Sequence, residues 1–258
     1  MRLMKRILSA AAVLALSASL LVGCSSGTAS SVPVSASSAA ESTVSSVEET
    51  ASSAVDENEA AAAQLLNDLT GSYQELWPVI LADEYKQTWL DDCTALVGED
   101  NAEAAFEKLS SMVTGDVYGE DAVKAYANGG GAYFCGFTNS LAILTFDGET
   151  STISGTDKDG NVLFSHTYHY IGMEPVRGLY EFQSDDADSG EFTYFFLAPD
   201  TSAETYHIEF RYGSDADALS QYDAGEYAYW LASGISTDCD QTMIDNCIEL
   251  FCTENLAG

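Results

Sequence analysis

The chain has 258 residues, 41 of them acidic against nine basic, for a formal net charge of −32 at pH 7. A surface of that sign repels phosphate backbones and anionic headgroups and attracts cations, which excludes nucleic acid as a partner. With 46% hydrophobic residues it carries enough apolar surface for one folded domain of about 200 residues.

In chain order, Arg2, Lys5 and Arg6 precede an apolar run from Ile7 to Val22 that contains no acidic residue, the pattern of a secretory signal removed from the mature protein. The run ends in Leu21-Val22-Gly23-Cys24, which resembles the lipobox of bacterial lipoproteins, where the cysteine thiol receives diacylglycerol. Its 16 residues are short for a membrane span, which needs about 20. Residues 1–23 are therefore expected to be a signal peptide and Cys24 the lipidation site. The protein is then a membrane-anchored lipoprotein of the cell surface, touching the membrane only through its lipid. Residues 24–57 read as a flexible linker: from Ser25 to Ser53 the chain is mainly Ser, Ala, Thr, Val and Glu, with one proline and no aromatic residue, too little apolar surface to offset the entropy of ordering. Loss of the signal leaves six basic residues against 41 acidic ones, a net charge of −35.

Residues 58–258 read as helices, then strands, then helices, an α+β order. Leu65, Leu66 and Leu69 share a helical face; Trp77, Ile80 and Leu81 follow, with Pro78 at a helix start or kink; Trp89, Leu90, Phe106, Leu109 and Val113 continue the pattern. After Asn128-Gly129-Gly130-Gly131 the period changes to two. Strands are expected at Tyr133 to Thr138, Leu141 to Phe146, Thr150 to Ser154, Val162 to Tyr170, Leu179 to Gln183, Phe192 to Leu197 and Thr205 to Tyr212. Turns such as Asp147-Gly148 and Asp157-Lys158-Asp159-Gly160 separate them, and seven short strands so spaced suggest a small closed barrel. The C-terminal stripe Ile244, Cys247, Ile248, Phe251 is helical and should pack on that barrel.

Beyond Cys24 there are five cysteines, Cys93, Cys135, Cys239, Cys247 and Cys252, without the paired spacing of a zinc cluster. Cys247 and Cys252 are five apart on one helix, about 140° around it, so they read as core residues and not as a bridge. A long-range disulfide such as Cys93 with Cys239 stays open. No Gly-x-Ser-x-Gly elbow, phosphate-binding loop or His-Glu-x-x-His is present, and no enzyme activity is expected. The acidic runs do not make calcium loops: counted from Asp157, Val162 and Tyr168 stand where the glycine and glutamate are needed, and in Asp185-Asp186-Ala187-Asp188 the glutamate position falls on Phe196. What remains is three histidines, His166, His169 and His207. Strand parity puts His207 and Glu209 on one face, and allows only one of His166 and His169 to face the barrel interior. An imidazole beside a carboxylate is a donor set zinc accepts, and also a common surface ion pair.

Three stretches carry a family likeness: Leu69-Thr70-Gly71-Ser72-Tyr73-Gln74-Glu75-Leu76-Trp77-Pro78, His207-Ile208-Glu209-Phe210-Arg211-Tyr212-Gly213, and Tyr227-Ala228-Tyr229-Trp230-Leu231. In that order, over about residues 65–256, they resemble the ZinT family of exported bacterial zinc-binding proteins, found alone or as the C-terminal domain of zinc-uptake lipoproteins. The resemblance implies a lipocalin-like (calycin) antiparallel barrel flanked by N- and C-terminal helices, Zn(II) or another divalent metal ion as ligand, and a metal ABC importer as partner. It also implies a His-x-His pair with a third, earlier histidine. Counted back from Gly213, His207 and Glu209 fall on the pair, while the third position, before Ala198-Pro199, falls near Phe195. His166 is then the expected third ligand, with His169 as an additional candidate. The alternative on the same fold is a metal-free binding module in which Tyr168, Tyr170, Tyr180, Tyr194, Tyr206 and Tyr212 line a small-molecule pocket.

Overall fold

A computed structural model of the chain describes residues 57–113, 134–198 and 207–256, all within the compact unit Ser46–Gly258. The expected signal peptide, Cys24 and the linker to residue 56 lie outside the described residues.

Eight antiparallel strands, each paired with its neighbours in chain order, close into a barrel. They are β1 (Gly71–Glu75), β2 (Ile143–Asp147), β3 (Thr152–Thr156), β4 (Val162–Met173), β5 (Tyr180–Ser184), β6 (Tyr194–Leu197), β7 (His207–Gly213) and β8 (Ala232–Ser236). Pairing of Tyr73 with Ser236 and of Glu75 with Gly234 joins the last strand to the first. Around them lie α1 (residues 57–68), α2 (Leu76–Ile80), α3 (Lys86–Val97), α4 (Glu99–Val113), a short α5 (Ala216–Leu219) and α6 (Gln241–Leu256). This is the expected lipocalin-like barrel flanked by helices. Among the described residues no helix is long and apolar enough to cross a membrane.

The period of two sorts every strand. Leu144 and Phe146, Ile153, Phe164 and Tyr168, Phe182, Phe195, and Ile208, Phe210 and Tyr212 are buried in one cluster inside the barrel. Aromatic rings fill that space. Phe192, from the loop between β5 and β6, stacks on Phe164 with centroids 3.9 Å apart and lies 5.5 Å from Tyr212, which meets Trp230 at 5.0 Å. So many rings need one small residue opposite them. A Cβ on Gly155 would come within 2.4 Å of the Phe164 ring. Tyr168 and Tyr212, two of the tyrosines offered as a pocket lining, are thus part of a packed core.

A second apolar layer lies outside the barrel. Trp77, Trp89, Leu109, Ile244, Cys247, Ile248 and Cys252 pack on Ile235, whose side chain is on the outer face of β8. The expected C-terminal stripe does pack on the barrel, and Phe251 joins it edge-on to Trp77 at 4.7 Å. Both turns form as expected: Asp147 Oδ1 accepts from the Glu149 amide, and Asp157 accepts from the amides of Asp159 and Asn161 and from the Asn161 side chain. Those bonds, the Asn161 side chain first, hold the Asp157 carboxyl below its ordinary range. The aspartate is tied to its own turn, as a hairpin requires.

The expected strands depart from the structure in three places. Gly71–Glu75 is a strand where helical periodicity extends, and Ala232–Ser236 adds an eighth strand. Of the expected strand from Tyr133 to Thr138, only Phe134 pairs, in a single bridge to Trp230; Tyr133 lies outside the described residues. The rest runs across the end of the barrel, where Thr138 donates from its amide to the Tyr212 hydroxyl and accepts from it through its carbonyl.

Candidate functional site

The barrel assigns each histidine a face. On β4, Phe164, His166 and Tyr168 point inward, and the His166 ring lies 5.9 Å from that of Phe164. His169, three residues on, points outward and is half exposed. On β7, Ile208, Phe210 and Tyr212 take the interior, so His207 and Glu209 share the outer face, as parity requires. His207 is paired with Ile235 and Glu209 with Ser233, beneath the helical layer. The Glu209 charge reaches two thiols there. After burial itself, it helps push Cys135 up to about 12, and it contributes least to the rise of Cys247 to about 12.

His166 therefore does not meet His207 and Glu209: they lie on opposite faces of the barrel wall, with β5 and β6 between their strands. Phe195, near the third family position, is fully buried inside and faces away from His207 as well. Among the described residues no group of three or more His, Cys, Asp or Glu is arranged to hold a metal ion.

What the structure brings together instead is histidine with aspartate. His166 Nδ1 is 2.7 Å from Asp186 Oδ2, and His169 Nδ1 is 2.6 Å from Asp185 Oδ1. The β4 and β5 register makes both pairs. Tyr168 is opposite Ser184 and the Asp185 amide donates to the Thr167 carbonyl, so the next two residues arrive beside the two histidines. The loop is then pinned. Ser184 Oγ accepts from the Asp186 amide at 3.1 Å and from the Ser189 hydroxyl at 2.8 Å, both serines being buried.

The imidazoles differ in shelter, but the aspartates do not. The His166 side chain is 17% exposed and that of His169 53%, whereas Asp186 and Asp185 are 60% and 54% exposed. Exposed pairs of this kind contribute about 0 to 1 kcal/mol to stability. Their larger effect is on orientation: with the aspartate ionised, Nδ1 carries the proton and Nε2 presents its lone pair. Metal-ligating histidines are usually held this way by an outer carboxylate.

Sequence reasoning leaves these partners unread, having treated Asp185-Asp186-Ala187-Asp188 only as a failed calcium loop. The signal is present in the parity of β4 combined with hairpin register. Glu75 is a second unread residue; its carboxylate accepts from the Phe137 amide at 2.6 Å at one end of the barrel.

No family model matches the sequence, and a search of curated proteins found no match. Among solved structures the chain is similar to the Zn(II)-bound ZinT-like domain of Streptococcus pneumoniae AdcA, at 15% identity over 71% of this chain and 89% of that one, with a TM-score of 0.45. It is also similar to Zn(II)-bound AdcA from the same organism, at 13% identity over 72% of this chain and 35% of that one, with a TM-score of 0.42. At that level of overlap neither likeness assigns a role to a residue here.

Proposed function

We propose that the chain is an extracytoplasmic lipoprotein that binds Zn(II) or another divalent cation and serves metal uptake, delivering the ion to an ABC importer in the membrane to which Cys24 tethers it. The observation that carries this reading is the His166 and Asp186 pair: a sheltered imidazole on the inner barrel face, its Nδ1 held by a carboxylate and its Nε2 left as donor. His169 with Asp185 is a separate pair on the outer surface, and His207 and Glu209 share the outer face of the wall beneath the helical layer. The chain's strongly negative charge raises the local concentration of any cation. With one imidazole as its protein ligand among the described residues, the site holds zinc more weakly than an all-histidine site, water filling the remaining positions.

Calorimetric titration of variants separates the groups. His166→Ala should remove at least nine-tenths of the zinc affinity, and His207→Ala should leave it within about twofold, each variant keeping its fold by circular dichroism. Because a proton competes for Nε2, uptake should weaken on acidification in the wild type. Loss of binding in His207→Ala with retention in His166→Ala would overturn the assignment.

The membrane arm is tested separately. Cys24→Ser should abolish incorporation of labelled fatty acid, since no other thiol stands at a signal boundary. Undiminished labelling would refute the anchor.

A second reading, a metal-free binding module on the same barrel, is favoured by the separation of His166 from His207 and Glu209 on opposite faces of the wall.

A further inference from the structure

Cys93 near the end of α3 and Cys252 near the end of α6 are separated by 159 residues in sequence, yet their sulfurs lie 3.9 Å apart and both side chains are fully buried. We infer that these two cysteines are a disulfide site, which in the oxidised protein staples α3 to α6 across the helical layer. The sequence leaves Cys93 and Cys239 open as a long-range pair, and the packing selects Cys252 in its place. Cys239 lies before α6 and is only partly buried, whereas Cys252 is carried to Cys93 by the same stripe that buries Ile244 and Ile248.

Closing the bond needs the sulfurs to approach from 3.9 Å to about 2.05 Å, within reach of side-chain rotation and a small relaxation of two helix ends. The chemistry is disulfide exchange. The two thiols give up two protons and two electrons to an external disulfide, either a small one such as oxidised glutathione or that of an oxidoreductase, which leaves as two thiols. Timing follows from burial. Inside the layer both thiols are driven upward in pKa, Cys252 most of all, and the thiolate that attacks a disulfide is then scarce. Exchange therefore takes place in the folding chain, before the layer closes, and the finished bond is shielded from reductants. The inference rests on the extracytoplasmic reading only in that such bonds persist in oxidising compartments.

A staple of this span constrains the unfolded chain strongly, since loop-closure entropy grows with the length enclosed. The loop it closes contains seven of the eight strands, β2 to β8, and leaves β1 outside.

The full chain, denatured and reduced, is refolded in a buffer of oxidised and reduced glutathione. Free thiols are then blocked with iodoacetamide in denaturant and the peptides analysed without reduction. The expected result is one cross-linked peptide pair containing Cys93 and Cys252, with Cys24, Cys135, Cys239 and Cys247 alkylated. The oxidised protein should melt on the order of 10 °C above the reduced one. Cys252→Ala should erase both the cross-link and that difference; the comparison of oxidised with reduced wild type stands even if the variant folds poorly. Alkylation of both Cys93 and Cys252, or a bond from Cys93 to another cysteine, would overturn the inference. Refolding in vitro does not depend on export or on metal, so failure of either of those readings shows in the lipid labelling or the zinc titration and not here.

Discussion

Arg211→Ala should destabilise the domain by about 3 to 5 kcal/mol, lowering its melting temperature by on the order of 10 °C. The guanidinium is fully buried on the outer face of β7. Its two terminal nitrogens donate to the carbonyl oxygens of Leu219 and Tyr227, and it stacks on the Tyr222 ring with its Cζ 4.3 Å from the centroid. Arg177 lies against the same ring at 4.5 Å, so Tyr222 packs with two cations. Truncation leaves two buried carbonyls without these donors and a cavity beneath α5, and each effect alone is worth 1 to 3 kcal/mol or about that. Arg211→Lys should recover less than half of the loss, because one ammonium does not reproduce a planar fork that reaches two acceptors. Urea unfolding of the three proteins checks this; a loss under about 1 kcal/mol in the alanine variant would show that the fork contributes no stability. Damage should concentrate in residues 219–231, since the segment that Arg211 ties down carries Tyr229 in a left-handed conformation, φ 54°, and Trp230 at the barrel end.

Alkali should unfold the domain between about pH 9 and 12, while neutral solution does not. Burial pushes the thiols of Cys135 and Cys247 from an ordinary value of 9.0 to about 12 and the hydroxyls of Tyr73 and Tyr222 from 10.0 to about 12. All four are therefore held protonated in the fold, whereas the unfolded chain releases those protons first, the thiols near 9 and the hydroxyls near 10. Their stabilisation is complete below pH 9 and is lost as pH rises toward 12. At about 1.36 kcal/mol per unit and group, the four together cost several kcal/mol by pH 11, on the scale of a domain's whole stability of about 5 to 15 kcal/mol. Circular dichroism across this range in reducing buffer should show the loss. The double variant Cys135→Ala, Cys247→Ala should move its onset up by less than about one pH unit, because Cys93 and Cys252, also raised by burial, still release their protons on unfolding. An onset unchanged in that variant would remove those two thiols from the account.

The sequence reads well where one face is wet and poorly where both are dry. On β4 the alternation of Phe164, His166 and Tyr168 with Ser165, Thr167 and His169 is clean, because the outer face is open to solvent, and parity correctly allows only one of the two histidines inside. On β7 parity correctly joins His207 to Glu209. Which way they point is hidden, since Ile208, Phe210 and Tyr212 are covered by the barrel and Arg211 by Tyr222 and α5. Ala232–Ser236 is concealed for the same reason: Ala232 and Gly234 line the interior, Ser233 and Ile235 lie under the helices, and four of its five residues are buried. Gly71–Glu75 is short and flanked by helices; its strand conformation comes from pairing with Thr145 and Ile235, partners 73 and 161 residues away. The stretch from Phe134 to Thr138 errs the other way. Phe134 and Cys135 bond to the backbone of Tyr229, Leu231 and Ser233, but Phe137 is drawn into the barrel end, where the backbone of Phe137 and Thr138 bonds to Glu75 and Tyr212. The aspartates beside His166 and His169 depend on hairpin register, which a one-residue slip would reverse.

Titration of the wild-type protein with Zn(II) at neutral pH, followed by calorimetry, tests the cation-binding reading most directly. The account predicts saturable uptake of one ion per chain that weakens on acidification, with the heat signal lost in His166→Ala. A flat titration, or uptake unchanged in His166→Ala, would contradict it and leave the metal-free binding module as the function of this barrel.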